Sequence, residues 1–385
     1  MSSTTFAFAL LAGNDLDKVA HTLKTIAAQE TGAHINTKII IAHDDASLTE
    51  EWVRTALEGT DMSVLLVPLA LESAHPQARR ASMLAALATA IPEDVEWVWT
   101  LTDDASLYSK FSLEQLTTQL GMPAHKDVRF VHACLAPKSY DTGYTQMASV
   151  KSLCESHGYF EILGAPSAMV LTADAFRLAF GKHLAEMAEQ ARSGDIRITP
   201  FTHCQLLYLA LADTSGLLID SKLVAQERGT TFDEDSDISE SRQMFMIAGE
   251  LVELAHILKQ DNSWDTHFFR FGQKSIWTEL LHYQSRISSL FDHKAEQQDA
   301  EVVAFIDNWQ VLLTLADHVN DKETASIIRN VVTNGIRYTL ELLHGEEDSL
   351  KKLENFFASQ LANDLVYPST LLRPDHMMQL MRKSA

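Results

Sequence analysis

Cysteine, basic charge and long apolar runs are all scarce in this sequence of 385 residues. Only Cys134, Cys154 and Cys204 occur, and their spacing matches neither a CxxC pair nor a zinc finger. A sparse, odd set of cysteines indicates buried free thiols in a reducing compartment. No run approaches the roughly 18 apolar residues of a membrane span, and residues 1–11 lack the basic start of a signal peptide. We therefore expect a cytoplasmic protein with no integral membrane segment.

Positive charge is outweighed, because 31 Lys and Arg residues face 52 Asp and Glu residues, for a formal net charge of −21. A surface of that sign repels nucleic acid and anionic lipid, and no run of Lys and Arg forms a nucleic-acid patch. We therefore expect no nucleic-acid partner. The hydrophobic content of 46% is that of an ordinary globular chain, and the length predicts two or three domains.

What the sequence does contain is a repeated strand–helix pattern in its first third. Short apolar runs alternate with segments in which apolar residues recur at the helical period. The runs lie at 6–12, 38–42, 63–68 and 97–101, and looser ones follow at 128–134, 167–171 and 217–224. Strands that are apolar throughout and separated by helices indicate a parallel sheet covered on both faces.

The pattern changes after residue 230. Residues 231–240 are acidic and polar, which is typical of a linker, and apolar residues recur at the helical period from there to the end. The sequence therefore predicts an α/β domain at residues 1–235 and an all-helical domain at residues 240–385.

Polar turns follow three of the predicted strands, at the edge where ligands bind to parallel sheets. Asp103 and Asp104 come directly after the fourth strand, where adjacent carboxylates can hold a hard divalent ion that bridges phosphate oxygens. A solvated turn is the alternative for this pair. Asp44 and Asp45 follow the second strand and can accept hydrogen bonds from a base or a ribose, although a simple turn also explains them. Asn14, after the first strand, is the weakest signal.

The order of these turns resembles the family 2 glycosyltransferases. The matching segments are Ala12-Gly13-Asn14-Asp15, Asp44-Asp45-Ala46-Ser47, Ala78-Arg79 and Leu101-Thr102-Asp103-Asp104. Those enzymes carry there a Thr-Tyr-Asn-like turn, an Asp-Asp-Gly-Ser, an Ala-Arg-Asn and a metal-binding Asp-x-Asp. The resemblance implies a GT-A-like nucleotide-binding mixed sheet flanked by helices, followed here by the helical C-terminal domain.

The resemblance also implies roles for these residues in binding a nucleotide. Asp44 or Asp45 would contact the base, Arg79 would lie near the phosphates, and Asn14 would belong to the same site.

The end of the fourth strand has its own implied role, in which Asp103 and Asp104 would serve the ribose and a divalent Mg²⁺ or Mn²⁺, with Asp104 as the metal ligand. Thr102 departs from the pattern because it occupies the first acidic position of the metal motif. Metal use therefore stays open.

Inverting transfer needs a general base to deprotonate the acceptor hydroxyl. Where the family supplies an acid, this sequence reads Thr202-His203-Cys204, so His203 is a candidate for the base. His203 is also a candidate metal ligand, and a structural role at the helix start is its alternative. Asp195, in a polar loop, is the second candidate for the base. Arg228, after the last strand, would reach the diphosphate or form a surface ion pair.

The resemblance therefore implies a glycosyltransferase that moves a sugar from a nucleotide diphosphate sugar to an acceptor hydroxyl, with inversion and a divalent metal. The acceptor would be a glycan, a protein or a lipid-linked sugar, and the helical domain would bind it or form a homodimer. Thr102 and the missing acid pair also allow a catalytically degenerate scaffold. A nucleotidyltransferase is disfavoured, because no basic residue stands in the turn at Asn14.

Overall fold

The computed structural model describes residues 4–226, except 33, 58–59, 72–75, 137–139 and 194–201, together with isolated residues between 326 and 337. The chain divides into two units, and the first, formed by Met1–Cys154 and Phe160–Asp237, contains the whole sheet described below. The predicted linker at 231–240 lies outside the described residues, as does almost all of the predicted helical domain at 240–385. Both stay predictions. Within the described ranges, no helix is long and apolar enough to cross a membrane.

Strands in the described part of the chain form one mixed sheet. They are β1 (Thr4–Leu11), β2 (Ile35–His43), β3 (Ser63–Pro68), β4 (Trp97–Thr102), β5 (Ala105–Leu107), β6 (Phe130–Ala136), β7 (Tyr144–Ser149), β8 (Met169–Thr172) and β9 (Ser215–Gln226). The helices are α1 (Leu16–Ala27), α2 (Glu50–Ala56), α3 (Pro76–Ala90), α4 (Ser112–Leu120), α5 (Val150–His157), α6 (Tyr159–Leu163), α7 (Ala173–Phe180), α8 (Lys182–Ser193) and α9 (Thr202–Leu211). Short 3-10 helices lie at Pro123–His125 and Pro166–Ala168.

The sheet has a parallel side and a mixed side. Its order is β3-β2-β1-β4-β8-β6-β9-β5, and β7 pairs with β9 off this path. Strands β3, β2, β1 and β4 are mutually parallel, β8 runs antiparallel to β4 and β6, and β9 is parallel to β6 but antiparallel to β5 and β7. This arrangement confirms the predicted mixed α/β sheet flanked by helices.

The parallel side forms because its strands are apolar on both faces and helices cover both. Phe8 and Leu10 of β1 pack into a buried cluster with Leu23 of α1, while the alternate residues Ala7 and Ala9 are equally buried and α3 packs against β1 and β2.

The turns at the ends of β1 and β2 are set by helix caps. The Asp15 carboxylate accepts hydrogen bonds from the backbone N–H groups of Asp17 (3.1 Å) and Lys18 (3.2 Å), which starts α1. The Thr49 hydroxyl accepts one from the Trp52 N–H at 3.2 Å and starts α2. These caps limit the polar turns to a few residues after each strand.

Two strands, β5 and β7, were not predicted. Strand β5 has three residues, and β7 has the sequence YTQMAS with no buried residue. Both exist because β9, with twelve residues, offers them a pairing edge. Their own apolar pattern is too short or too weak to indicate a strand.

Candidate functional site

The turns after β1, β2 and β4 lie side by side at the carboxyl edge of the parallel strands. Leu11 pairs with Ala42 on one side and with Thr102 on the other. Asn14, Asp44 and Asp103 follow this row within three residues, so segments far apart in the chain meet at one edge. The expectation that these turns converge is therefore met by the register of the sheet.

Arg79 joins two of the predicted residues in what we call the Arg79 cluster, formed by Asn14, Asp44 and Arg79. The Arg79 Nε–H donates to Asp44 Oδ2 at 2.6 Å, and an Nη2–H donates to the other carboxylate oxygen, Oδ1. Nη2 also donates to Asn14 Oδ1 at 2.7 Å. The side chains of Arg79 and Asp44 are only 20% and 15% exposed. This forked, charge-assisted geometry fixes the orientation of the Asp44 carboxylate.

Asp45, the neighbour of Asp44, is used within its own turn. Asp45 Oδ1 accepts hydrogen bonds from the Ser47 hydroxyl at 2.5 Å and from the Ser47 N–H at 2.8 Å. These two bonds are the main cause of a pKa for the Asp45 carboxyl below its ordinary value, with smaller help from the charges of His43 and Arg79. Of the two candidates for the base contact, Asp44 is therefore the one held by the cluster.

Asp103 ties the turn after β4 to the turn after β1. Its Oδ2 accepts a hydrogen bond from the Gly13 N–H at 3.0 Å. A Cβ atom on Gly13 would lie 2.1 Å from that oxygen, so this approach requires glycine. The Thr22 hydroxyl of α1 braces the same turn from below, at 3.1 Å from the Asp103 carbonyl oxygen and 2.7 Å from that of Ala105.

Among the predicted acids that the structure describes, Asp104 is the most buried, with 7% of its surface exposed. Both of its oxygens accept hydrogen bonds from uncharged groups: Oδ1 from the Thr102 hydroxyl and Oδ2 from Gln226 Nε2 at 2.9 Å. Thr102 Oγ1 also lies 2.8 Å from Ser167 Oγ, and the Thr102 N–H donates to that Ser167 oxygen at 3.1 Å. We call Thr102, Asp104, Ser167 and Gln226 the Asp104 network.

Sequence reasoning missed Ser167 and Gln226 as members of this site. Gln226 reaches Asp104 because β5 pairs with β9 in the register Ala105↔Gln226, and β5 itself was not predicted. Ser167 lies in the 3-10 helix before β8. The only signal in the sequence for these two residues was the polar character of Gln226, near the end of the last predicted strand.

His43 is a further residue that the sequence did not single out. It ends β2 and is 5% exposed, with Nδ1 2.9 Å from the Asp45 carbonyl oxygen. Because a carbonyl oxygen only accepts, Nδ1 carries a proton. Nε2 is buried and has no hydrogen-bond partner among the described residues. A buried polar nitrogen without a partner is costly, which distinguishes His43 from the other residues at the end of β2.

Of the two candidates for the general base, His203 lies within the described residues and Asp195 does not. His203 is the second residue of α9 and 5% exposed, and its Nε2 lies 3.5 Å from Cys204 Sγ. The Cys204 thiol donates to the Leu163 carbonyl oxygen at 3.2 Å. Asp195 and Arg228 lie outside the described residues. The roles assigned to these three residues therefore stay predictions.

The residues of the metal motif do not present a ligand set. In the part of the chain that the structure describes, no group of three or more His, Cys, Asp or Glu residues is close enough to hold a metal ion. Asp104 already accepts from two uncharged donors, and Asp103 accepts from Gly13. The described residues therefore fit a divalent cation poorly.

Similar solved structures include the 1–349 fragment of S. aureus TarS. Its complex with UDP-GlcNAc aligns with a TM-score of 0.55 and 10% identity, over 89% of this chain and 91% of that chain. Its complex with UDP aligns over the same shares, with a TM-score of 0.54 and 12% identity. A mannosyltransferase from Pyrobaculum calidifontis, in complex with GDP-Man and Mn²⁺, aligns with a TM-score of 0.45 and 11% identity over 94% of this chain and 87% of that chain.

These likenesses are likenesses of fold. No family model matches the chain, and no curated protein is significantly similar to it in sequence. The predicted mixed sheet and the TarS alignments agree, and the described part of the chain therefore has a GT-A-like glycosyltransferase fold.

Proposed function

We propose that this chain is a glycosyltransferase that moves a sugar from a nucleotide diphosphate sugar to an acceptor hydroxyl, with inversion at the anomeric carbon. One observation carries the proposal. Asn14, Asp44 and Asp103, which follow three different strands, lie at one edge of a GT-A-like sheet and are linked there by Arg79 and Gly13. Ligands of open α/β sheets bind at this edge.

In the proposal, the Arg79 cluster recognises the nucleoside. Asp44, held in one orientation by Arg79, accepts hydrogen bonds from donor groups of the base. The positive charge of Arg79 offsets the negative charge of Asp44, so Asp44 repels nearby phosphates less strongly. Asn14 and Asp103 complete the edge on the ribose side. Arg228, two residues after the end of β9, supplies positive charge to the diphosphate.

The transfer step is a direct displacement. The acceptor oxygen attacks the anomeric carbon, the bond from that carbon to the diphosphate oxygen breaks, and the nucleoside diphosphate leaves with the bonding electrons. The hydroxyl proton passes to a base, for which His203 and Asp195 are the candidates. A divalent cation would neutralise the leaving group as a Lewis acid. Asp104 fits the role of its ligand poorly, because both carboxylate oxygens already accept hydrogen bonds.

Calorimetry with UDP, GDP and dTDP on the full chain tests the nucleotide site. We expect one of the three to bind, and Asp44→Asn to weaken it by about tenfold or more, which is about 1.4 kcal/mol. Asp94→Asn is the matched control. Asp94 forms a similar two-oxygen pair with Lys38, but it precedes β4 and thus lies at the opposite edge of the sheet. Equal effects of the two substitutions, or no binding of any nucleotide, would contradict the proposal.

Release of nucleoside diphosphate from donor sugars tests the transfer. Glycans, a protein and a lipid-linked sugar are the acceptor classes to offer, and His203→Gln and Asp195→Asn separate the two candidate bases. The substitution that removes the base should abolish release without weakening nucleotide binding. Acceptor binding or dimer formation by residues 240–385 belongs to the same proposal. The oligomeric state of the full chain tests the dimer.

A catalytically degenerate scaffold is the second candidate, and a specific observation favours it. Thr102 replaces the first acid of the metal motif and hydrogen-bonds to Asp104. A scaffold would bind the nucleoside diphosphate and release none from any donor sugar.

A further inference from the structure

The geometry of the Asp104 network determines which group each of its two hydroxyls donates to. The Thr102 hydroxyl donates its one proton to Asp104 Oδ1, because a carboxylate can only accept. Thr102 Oγ1 can then only accept from Ser167, 2.8 Å away, so the Ser167 hydroxyl donates to it. Ser167 Oγ in turn accepts from the Thr102 N–H at 3.1 Å. The hydroxyl chain therefore runs in one direction and ends on Asp104.

The second oxygen of Asp104 is taken by a residue from the far end of the domain sequence. Gln226 Nε2 donates to Oδ2 at 2.9 Å, and Gln226 is the last residue of β9. The carboxylate is 7% exposed. A buried carboxylate is costly unless hydrogen bonds or a cation compensate it, and here the Thr102 hydroxyl and the Gln226 amide each donate to one of its oxygens.

A divalent cation would compete with these donors for the same oxygens. Mg²⁺ and Mn²⁺ bind carboxylate oxygens, so an ion on Asp104 must displace the Thr102 hydroxyl or the Gln226 amide. Displacing the Thr102 hydroxyl leaves a buried polar group without its acceptor, and displacing Gln226 removes a part-buried hydrogen bond. Thr102 also removes the second acid that a metal motif would supply at this place.

We propose that Asp104 is a positioning residue and not a metal ligand, and that this chain binds its nucleoside diphosphate without a divalent cation. The proposal rests on the proposed function for the identity of the ligand. Asp104 acts through Thr102, Ser167 and Gln226, which fix the end of β4 and the end of β9 to one another at the ligand edge.

The first test compares nucleotide binding with and without a cation. Calorimetry with UDP, GDP and dTDP is performed on the full chain in excess Mn²⁺ and in EDTA. We expect the same dissociation constant in both. A dissociation constant at least about tenfold smaller in Mn²⁺ would overturn the proposal, since that factor is about 1.4 kcal/mol of metal-dependent binding.

The second test uses two substitutions of Asp104 and needs no nucleotide. In Asp104→Asn, the amide oxygen still accepts from Thr102, and Gln226 can rotate its amide so that its oxygen accepts from the new NH₂ group. In Asp104→Ala, both hydrogen bonds are lost. We therefore expect the urea midpoint of the Asn variant to stay close to that of the unmodified chain and that of the Ala variant to fall.

Two further outcomes separate the proposal from the alternative. If Asp104 holds a metal, Mn²⁺ raises the urea midpoint of the unmodified chain and raises neither variant's, and the proposal is wrong. If Asp104 acts through Gln226, Gln226→Ala lowers the midpoint and adds little to Asp104→Ala. Should no nucleotide bind under any condition, the proposed function fails, while the urea measurements still decide the role of Asp104.

Discussion

The two sides of the ligand edge are built by different chemistry. On the β1–β2 side, the Arg79 cluster holds Asp44 with a guanidinium, and the negative charge is met by a positive one. On the β4–β9 side, the Asp104 network holds a more deeply buried carboxylate with a hydroxyl and an amide. One edge therefore orients two acids by unlike means, and the two means should respond differently to substitution and pH.

Loss of the guanidinium should have the largest effect. Arg79→Ala leaves the Asp44 carboxylate mostly buried and without its cation, and we expect it to lower the free energy of unfolding by about 2 kcal/mol, after a discount for partial exposure. The control is Arg54→Ala, which breaks an exposed pair with Glu50 within α2 and should cost less than about 0.5 kcal/mol. Urea unfolding measures both, and similar costs would remove the contrast between a positioned and an exposed ion pair.

Loss of one hydroxyl from the other side should come next. Thr102→Val keeps the shape of the side chain but removes the hydroxyl that donates to the buried Asp104 Oδ1, and we expect a loss of about 1.5–2 kcal/mol in the free energy of unfolding. Thr100→Val is the matched control on the same strand. Thr100 Oγ1 is buried and has no hydrogen-bond partner among the described residues, so its removal should be neutral or slightly stabilising. If Thr100→Val lowers the free energy of unfolding as much as Thr102→Val does, the loss comes from valine in β4 and not from the missing donor to Asp104.

The hydrogen bond from Gly13 to Asp103 links the two sides, and its loss should have a smaller effect than either substitution above. Gly13→Ala places a methyl group where the Asp103 carboxylate now lies, so the carboxylate must swing away and lose its bond to the Gly13 N–H. We expect a loss of about 1 kcal/mol in nucleotide binding or unfolding free energy. Gly121→Ala is the control and should cost less than Gly13→Ala, because φ is −72° there and an added Cβ would lie 3.3 Å from its nearest neighbour, the Thr117 carbonyl oxygen. An unchanged Gly13→Ala variant in both measurements would show that the link is dispensable.

The smallest effect should depend on pH. Ser47 lowers the pKa of Asp45 below its ordinary value of 3.8, so this carboxylate adds stability above that pH, and the contribution is lost as pH falls through the folded-state pKa. Ser47→Ala should therefore reduce stability near pH 7 slightly and flatten the decline of the urea midpoint below about pH 4. Asp94, whose pKa is lowered by Lys38, is untouched and retains its own share of the decline. An identical pH profile in the two chains would contradict the assignment.

The charged side of the edge was largely predictable from the sequence, and the neutral side was not. Asn14, Asp44 and Asp103 follow strands whose apolar runs are unmistakable, so the rule that parallel strands end at one edge was enough to bring them together. Arg79 was predicted at this edge only through the resemblance to the family 2 glycosyltransferases. The fork of Arg79 on Asp44, rather than on a phosphate, is a matter of side-chain geometry that no pattern contains.

The partners of Asp104 depend on pairing between distant segments. Gln226 comes to Asp104 through β5, a strand of three residues with no period to detect. Ser167 arrives through the 3-10 helix before β8, a segment that the sequence indicates only as the start of a strand. Metal binding was therefore the natural prediction for Asp103 and Asp104, since the sequence shows their charge and hides their hydrogen-bond donors.

The separation of Asp104 from Gln226 has a consequence during synthesis on the ribosome. The two residues are 122 positions apart, and translation at about 5–20 residues per second makes Asp104 on the order of ten seconds older than its amide partner. Over that interval β1 to β4 and Arg79 have already emerged, so the ion pair between Arg79 and Asp44 can form before Gln226 is available to donate to Asp104. A nascent chain arrested before β9 should thus carry one finished and one unfinished half of the same rim.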